Sequence, residues 1–300
     1  MTTPQKRRRP NVPPRLTRAA LERLGFTIPE VRFEEEIARF EESDRQAPPP
    51  QGGVLFVGDS DIRLWDPAAM QKHFADLPTL NRGFGGARTW EVLIYFHRIV
   101  LPYRPRTIVY CAGDNDIARL RDAGAPSAIA GFRLFMEAVA SQIPEVRRVL
   151  YLAIHPSPSD EPLWGFIDQA NAGIRPLCKS SAVAEYTDYL HLLCTPDRRP
   201  KPDLFRPDRL HFTAAFYDRL SAFLRPRVMA APQPGERVRS VRQLNAEHRI
   251  LPRRTTLETP PRPSREANHR SGTEMPEAPP NYRDCRKDCP PRRIGRRRAP

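Results

Sequence analysis

Long apolar runs are missing from this 300-residue chain. No stretch approaches the ~18–20 residues that would span a bilayer. Nor does an apolar segment follow the cationic start MTTPQKRRRPNVPPRL, so these residues do not read as a secretory signal peptide. Cysteine is scarce, at five. Cys111, Cys178 and Cys194 stand singly, and Cys285 and Cys289 form a lone C-x3-C pair with no second pair to complete a zinc site. That usage points to reduced thiols in a cytoplasmic protein. The nucleophile elbow G-x-S-x-G, the Walker phosphate loop and H-E-x-x-H are all absent.

What is present is charge, unevenly placed. The formal balance is +14, from 49 Lys and Arg against 35 Asp and Glu. Residues 1–30 carry a balance of +5 and residues 231–300 a balance of +9, while residues 31–230 hold twenty-five charges of each sign. An electroneutral middle argues against a dedicated nucleic-acid site there, because such a fold would carry its basic face on the domain itself. Residues 231–300 contain twelve prolines and few large apolar residues. They cannot bury enough surface to offset the entropy of ordering and read as a disordered Pro/Arg-rich tail. The expected organisation is a basic N-terminal tail at 1–30, a domain at 31–230 that opens with a helix, and the tail at 231–300.

Within the domain, strand and helix alternate. RFEEEIARFEESDR (32–45) puts Phe33, Ile37 and Phe40 on one helical face before the Pro48–Pro50 stop. VLFVG (54–58), TLNRG (79–83), TIVYCAG (107–113) and VLYLAI (149–154) read as strands, with a fifth near 182–189. Helices are expected at 87–101, 126–143, about 163–179 and about 213–224. Strands without polar alternation are buried on both faces, and their alternation with helices implies a three-layer α/β domain on a parallel sheet.

Active sites of parallel sheets lie at the carboxyl ends of the strands. Five polar clusters fall there: Gly58-Asp59-Ser60-Asp61, Asn81 to Gly86, Gly113 to Asp116, His155 to Pro158, and Asp208 to His211. Ser60 reads either as a helix N-cap or as a nucleophile next to a backbone oxyanion donor. His211 reads either as half of a surface Asp–His pair or as the base for that nucleophile, with Asp208 three residues earlier to fix its tautomer. Gly86 permits close backbone approach and Asn115 carries an amide donor; each alone is also ordinary turn or cap chemistry. His155 follows a strand too, but Pro156 and Ser157 beside it supply no carboxylate, so it reads as structural.

Taken together, GDS at 58–60, N-x-G-x-x-G at 81–86, G-x-N-D at 113–116 and D-x-x-H at 208–211 resemble the SGNH (GDSL-type) hydrolase superfamily. The likeness runs over residues 54–225, and the surrounding text resembles bacterial platelet-activating-factor acetylhydrolase-like esterases. Asp61 stands where the family name has Leu, and Ala87 where relatives often carry a small hydroxyl residue. The resemblance implies a flavodoxin-like fold without metal or cofactor. It implies Ser60 as nucleophile, His211 as base and Asp208 as its orienting carboxylate, with Ser60, Gly86 and Asn115 forming the oxyanion hole. The expected function is a serine esterase that cleaves a small or lipid-like carboxylic ester through an acyl-enzyme. The alternative is a non-catalytic α/β domain whose Arg-rich tails, Lys6–Arg9 and Arg296–Arg298, bind nucleic acid or anionic lipid. Tyr282 is the one aromatic residue of the C-terminal tail, which serves base stacking poorly.

Overall fold

The computed structural model describes residues 16–230. The basic segment at 1–15 and the 231–300 tail, with the disorder and polyanion binding expected of them, lie outside the described residues. Five strands form one all-parallel sheet in the order β2-β1-β3-β4-β5. They are β1 (Val54–Gly58), β2 (Thr79–Gly83), β3 (Thr107–Cys111), β4 (Arg148–Leu152) and β5 (Ala184–Thr187). Every residue of β1 is buried, as its apolar run requires of a central parallel strand.

The period-two alternation of the strands sends side chains to two helical layers. Leu55, Val57, Ile108, Tyr110, Val149 and Tyr151 face one core. That layer holds α1 (Arg18–Arg23), α2 (Glu34–Gln46), α5 (Thr89–Ile99), α7 (Gly124–Gln142) and α8 (Trp164–Lys179). Val54, Phe56, Val109, Leu150 and Leu152 face the other, packed by α4 (Pro67–Phe74), α9 (Leu190–Leu193) and α10 (Ala214–Met229). Two further short helices, α3 (Ser60–Arg63) and α6 (Asp114–Leu120), follow β1 and β3 directly. Trp65, Phe56 and Phe74 meet edge-on or tilted at 5.3–5.5 Å under α4.

Charge alone sets the start of the domain at residue 31, but the core reaches further upstream. Leu16, Leu21, Phe26 and Ile28 are buried in the same cluster as α5 and α7. The edge strand β2 is weak in apolar residues because it is braced by polar ones. Arg82 is buried against Asp44 of α2 and donates to the Tyr103 hydroxyl at 2.8 Å, and that hydroxyl donates to Asp44 at 2.5 Å. Among the described residues, no helix is long and apolar enough to cross a membrane.

Candidate active site

β1 ends at Gly58 with φ +152°, where a Cβ would stand 1.6 Å from the Cys111 carbonyl oxygen. Only glycine lets the strand turn so close to its neighbour. The Asp59 N–H donates to Cys111 O at 3.0 Å, and Asp59 Oδ1 accepts from the Asp61 N–H at 3.0 Å. Asp59 is therefore the N-cap of α3, so the capping reading of Ser60 falls away. Ser60 is 8% exposed, and its Oγ lies 3.0 Å from His211 Nε2.

His211 comes from the loop before α10. The chain doubles back there: Phe205 and Phe212 bridge in antiparallel fashion, the Arg206 N–H donates to His211 O at 2.7 Å, and Arg209 takes φ +59° at the bend. His211 Nδ1 lies 2.7 Å from Asp208 Oδ2, while Asp208 Oδ1 accepts from the backbone N–H groups of Leu210 and His211. Burial raises the Asp208 carboxyl, but the hydrogen bonds from the His211 side chain and from these amides outweigh it and hold the group below its usual range. Thr213, not His211, is the N-cap of α10.

The N-x-G-x-x-G loop is tied to the same turn. Asn81 Nδ2 donates to Ile62 O at 2.7 Å, Asn81 Oδ1 accepts from the Gly83 N–H at 2.9 Å, and the Phe84 N–H donates to Gly58 O at 3.0 Å. These bonds lead the backbone to Gly86, whose φ of +78° is one that glycine adopts freely. A Cβ at Gly86 would lie 3.9 Å from Asn115 Oδ1, so the two come together. Asn115 sits inside α6, which is capped by Gly113, and is not itself the cap. One hydrogen of its amide goes to Asp114 Oδ1 at 2.8 Å, which orients the side chain and leaves the second for another acceptor.

Asp116 locks α6 to α5. It accepts from the Thr89 N–H (2.8 Å), Thr89 Oγ1 (2.9 Å) and Ser127 Oγ (2.6 Å). Burial pushes its carboxyl up to about 6, with those donors holding it back from going higher. Asp116→Ala should cost ~1–3 kcal/mol, because it strands buried donors without an acceptor. Differential scanning fluorimetry should show a lower Tm, and an unchanged Tm would mean that the lock carries little.

Beneath Ser60 lies a group of buried acids. Asp59 and Asp114 are both held above the ordinary carboxylate range, burial being the largest cause for each. Burial first, then the neighbouring carboxylates, holds Asp59 well above the ordinary range. Asp59, Asp61 and Cys111 bring ligand-type atoms within 4.8 Å of one another, but the carboxylates are taken up by protein partners. Asp61 is the partner that local sequence denies to His155: its Oδ2 lies 2.9 Å from His155 Nε2, across 94 residues. His155 is thus not a lone histidine, as its neighbours suggest.

Residues 57–219 match the sequence profile of the GDSL-like Lipase/Acylhydrolase family. The chain belongs to this family. The matched residues take in the end of β1 from Val57, the Asn81–Gly86 loop, the Gly113–Asp116 turn and the Asp208–His211 turn. Among solved structures, the chain is similar to a Streptococcus pneumoniae protein described as a platelet activating factor, with a TM-score of 0.56 and 22% identity over 65% of this chain and 92% of that one. It is also similar to a GDSL-like lipase from Bacteroides thetaiotaomicron, with a TM-score of 0.54 and 19% identity over 64% and 96%. At these identities the likeness is one of fold, and that fold is the α/β architecture of GDSL/SGNH hydrolases. No curated protein matches the chain.

Proposed function

We propose that this GDSL-family chain is a serine esterase that cleaves carboxylic esters through an acyl-enzyme on Ser60. The observation that carries the reading is the continuous line Ser60 Oγ–His211 Nε2 (3.0 Å) and His211 Nδ1–Asp208 Oδ2 (2.7 Å). Such a line matches the demands of nucleophilic catalysis by a weakly acidic hydroxyl. His211 takes the Ser60 proton as Oγ attacks the ester carbonyl. Asp208 holds Nδ1–H and stabilises the imidazolium that forms. The Ser60 N–H, the Gly86 N–H and the spare amide hydrogen of Asn115 receive the oxyanion, in a site where fixed donors need no reorganisation. His211 then gives the proton to the departing alcohol, and water repeats the sequence to release the acid. A small or lipid-like ester suits this chemistry, which calls on no metal or organic cofactor.

Incubation with p-nitrophenyl acetate should release p-nitrophenol, and a fluorophosphonate should label Ser60 as the peptide located by mass spectrometry. Turnover without any label on Ser60 would overturn the assignment.

A further inference from the structure

We propose that His155 is a positioning residue: a buried imidazolium that holds the Ser60 turn and the His211 loop in register. The inference rests on the esterase reading and deepens it. His155 is 5% exposed and both of its ring nitrogens face acceptors. Nε2 meets Asp61 Oδ2 at 2.9 Å, and Nδ1 meets Pro156 O at 3.2 Å. A carbonyl oxygen can only accept, so Nδ1 carries a proton, and a second proton is shared between Nε2 and Asp61. The pair therefore holds two protons, and losing one breaks a bond inside the core.

Its neighbours give this pair its leverage. Asp61 follows Ser60 directly, and its backbone oxygen accepts from the Tyr217 hydroxyl at 2.8 Å. The His155 ring lies 4.4 Å from the ring of Phe212, which follows His211 directly, and 5.9 Å from that of Phe205. The loop after β4 also touches the turn itself, since the Ser159 N–H donates to Arg209 O at 3.2 Å. His155 thus stands between the residue beside the nucleophile and the residue beside the base. It also sets a positive charge against Asp61, which would otherwise oppose an oxyanion forming at Ser60.

The charged and titratable groups around it are few. Asp61 and Asp114 face the ring, and Asp59 and Cys111 lie behind Asp61. Tyr217 packs on Asp61, and Arg206 donates to Phe212 O at 2.8 Å. Burial acts to lower the imidazole, but Asp61 and Asp114 outweigh it and hold His155 above its ordinary range. A raised histidine stabilises the fold below its ordinary value and loses that contribution as pH climbs through the folded value. Activity should therefore fall, giving an alkaline limb to the profile, as pH climbs through the raised range in which His155 loses its proton.

The test is the pH dependence of kcat and KM for the full chain and its variants on p-nitrophenyl acetate. His155→Gln keeps a donor toward Asp61 but not the charge. It should lower kcat by up to about 100-fold with little change in KM, as a displaced catalytic geometry does, and abolish the alkaline limb. His155→Lys restores a cation and should recover part of kcat with the alkaline limb moved to higher pH. If His155→Gln fails to fold, Asp61→Asn carries the test, because removing the carboxylate should move the alkaline limb to lower pH. A wild-type profile without an alkaline fall overturns the proposal, as does a His155→Gln or Asp61→Asn profile that superimposes on the wild type. If Ser60→Ala retains turnover, the parent reading fails; if Ser60→Ala is dead and the His155 and Asp61 variants behave as wild type, only the present inference fails.

Discussion

Ser60→Ala should lower kcat for ester hydrolysis by about 10⁶, the scale on which a serine nucleophile and its base act as one unit. The side chain's hydrogen bond is to His211, while the backbone of residue 60 continues to accept from the Leu64 N–H at 2.8 Å. Alanine is therefore compatible with the turn, and the loss should appear without a fall in Tm. His211→Ala should be as damaging, and the double variant no worse than either single one, because removing either atom of the Oγ–Nε2 pair removes the same step. Steady-state hydrolysis by freshly purified variants checks this. More than a tenth of wild-type turnover in Ser60→Ala would rule out Oγ as the attacking atom.

Asn115→Ala should reduce kcat by about 10²–10³ and leave KM nearly unchanged. On the proposed mechanism the amide meets charge that exists only once the carbonyl has been attacked, so ground-state binding has little to lose. The bond from its Nδ2 to Asp114 aims the side chain before substrate arrives. A loss confined to KM would instead assign Asn115 to substrate binding.

The strands were the most legible part of the chain. β1 spans its apolar run VLFVG, and β1 and β2 both end at their closing glycines. β3 and β4 stop two residues short of the runs TIVYCAG and VLYLAI, because the chain leaves the ladder to carry Gly113 and His155. The glycines, acids and amides of the site are recognisable because each sits at a strand end where a buried backbone must turn. Helix α4 is harder to see, being short and even in polarity. Its start is nevertheless written locally, with Pro67 in its first turn and Asp66 accepting from the Ala68 and Ala69 N–H groups. The N-terminal boundary is obscured because charge counts cannot see Leu16 and Leu21 reaching the core across a basic stretch. The Asp61–His155 pair is illegible for a different reason. Its partners are 94 residues apart, and only the parallel pairing of β1 with β3 and of β3 with β4 brings their strand ends together.

That same topology governs when the Ser60–His211 contact can exist. The two residues are 151 positions apart, one at the end of the first strand and the other after the last. Parallel strands close no pairing locally; each needs a crossover before the next can dock. A chain emerging from the ribosome would thus carry Ser60 early and lack His211 through most of synthesis. Only when the final loop folds back toward the end of β1 does the Ser60 hydroxyl meet the His211 ring. On the esterase reading, the incomplete chain is in this way kept from reacting with esters, by connectivity alone.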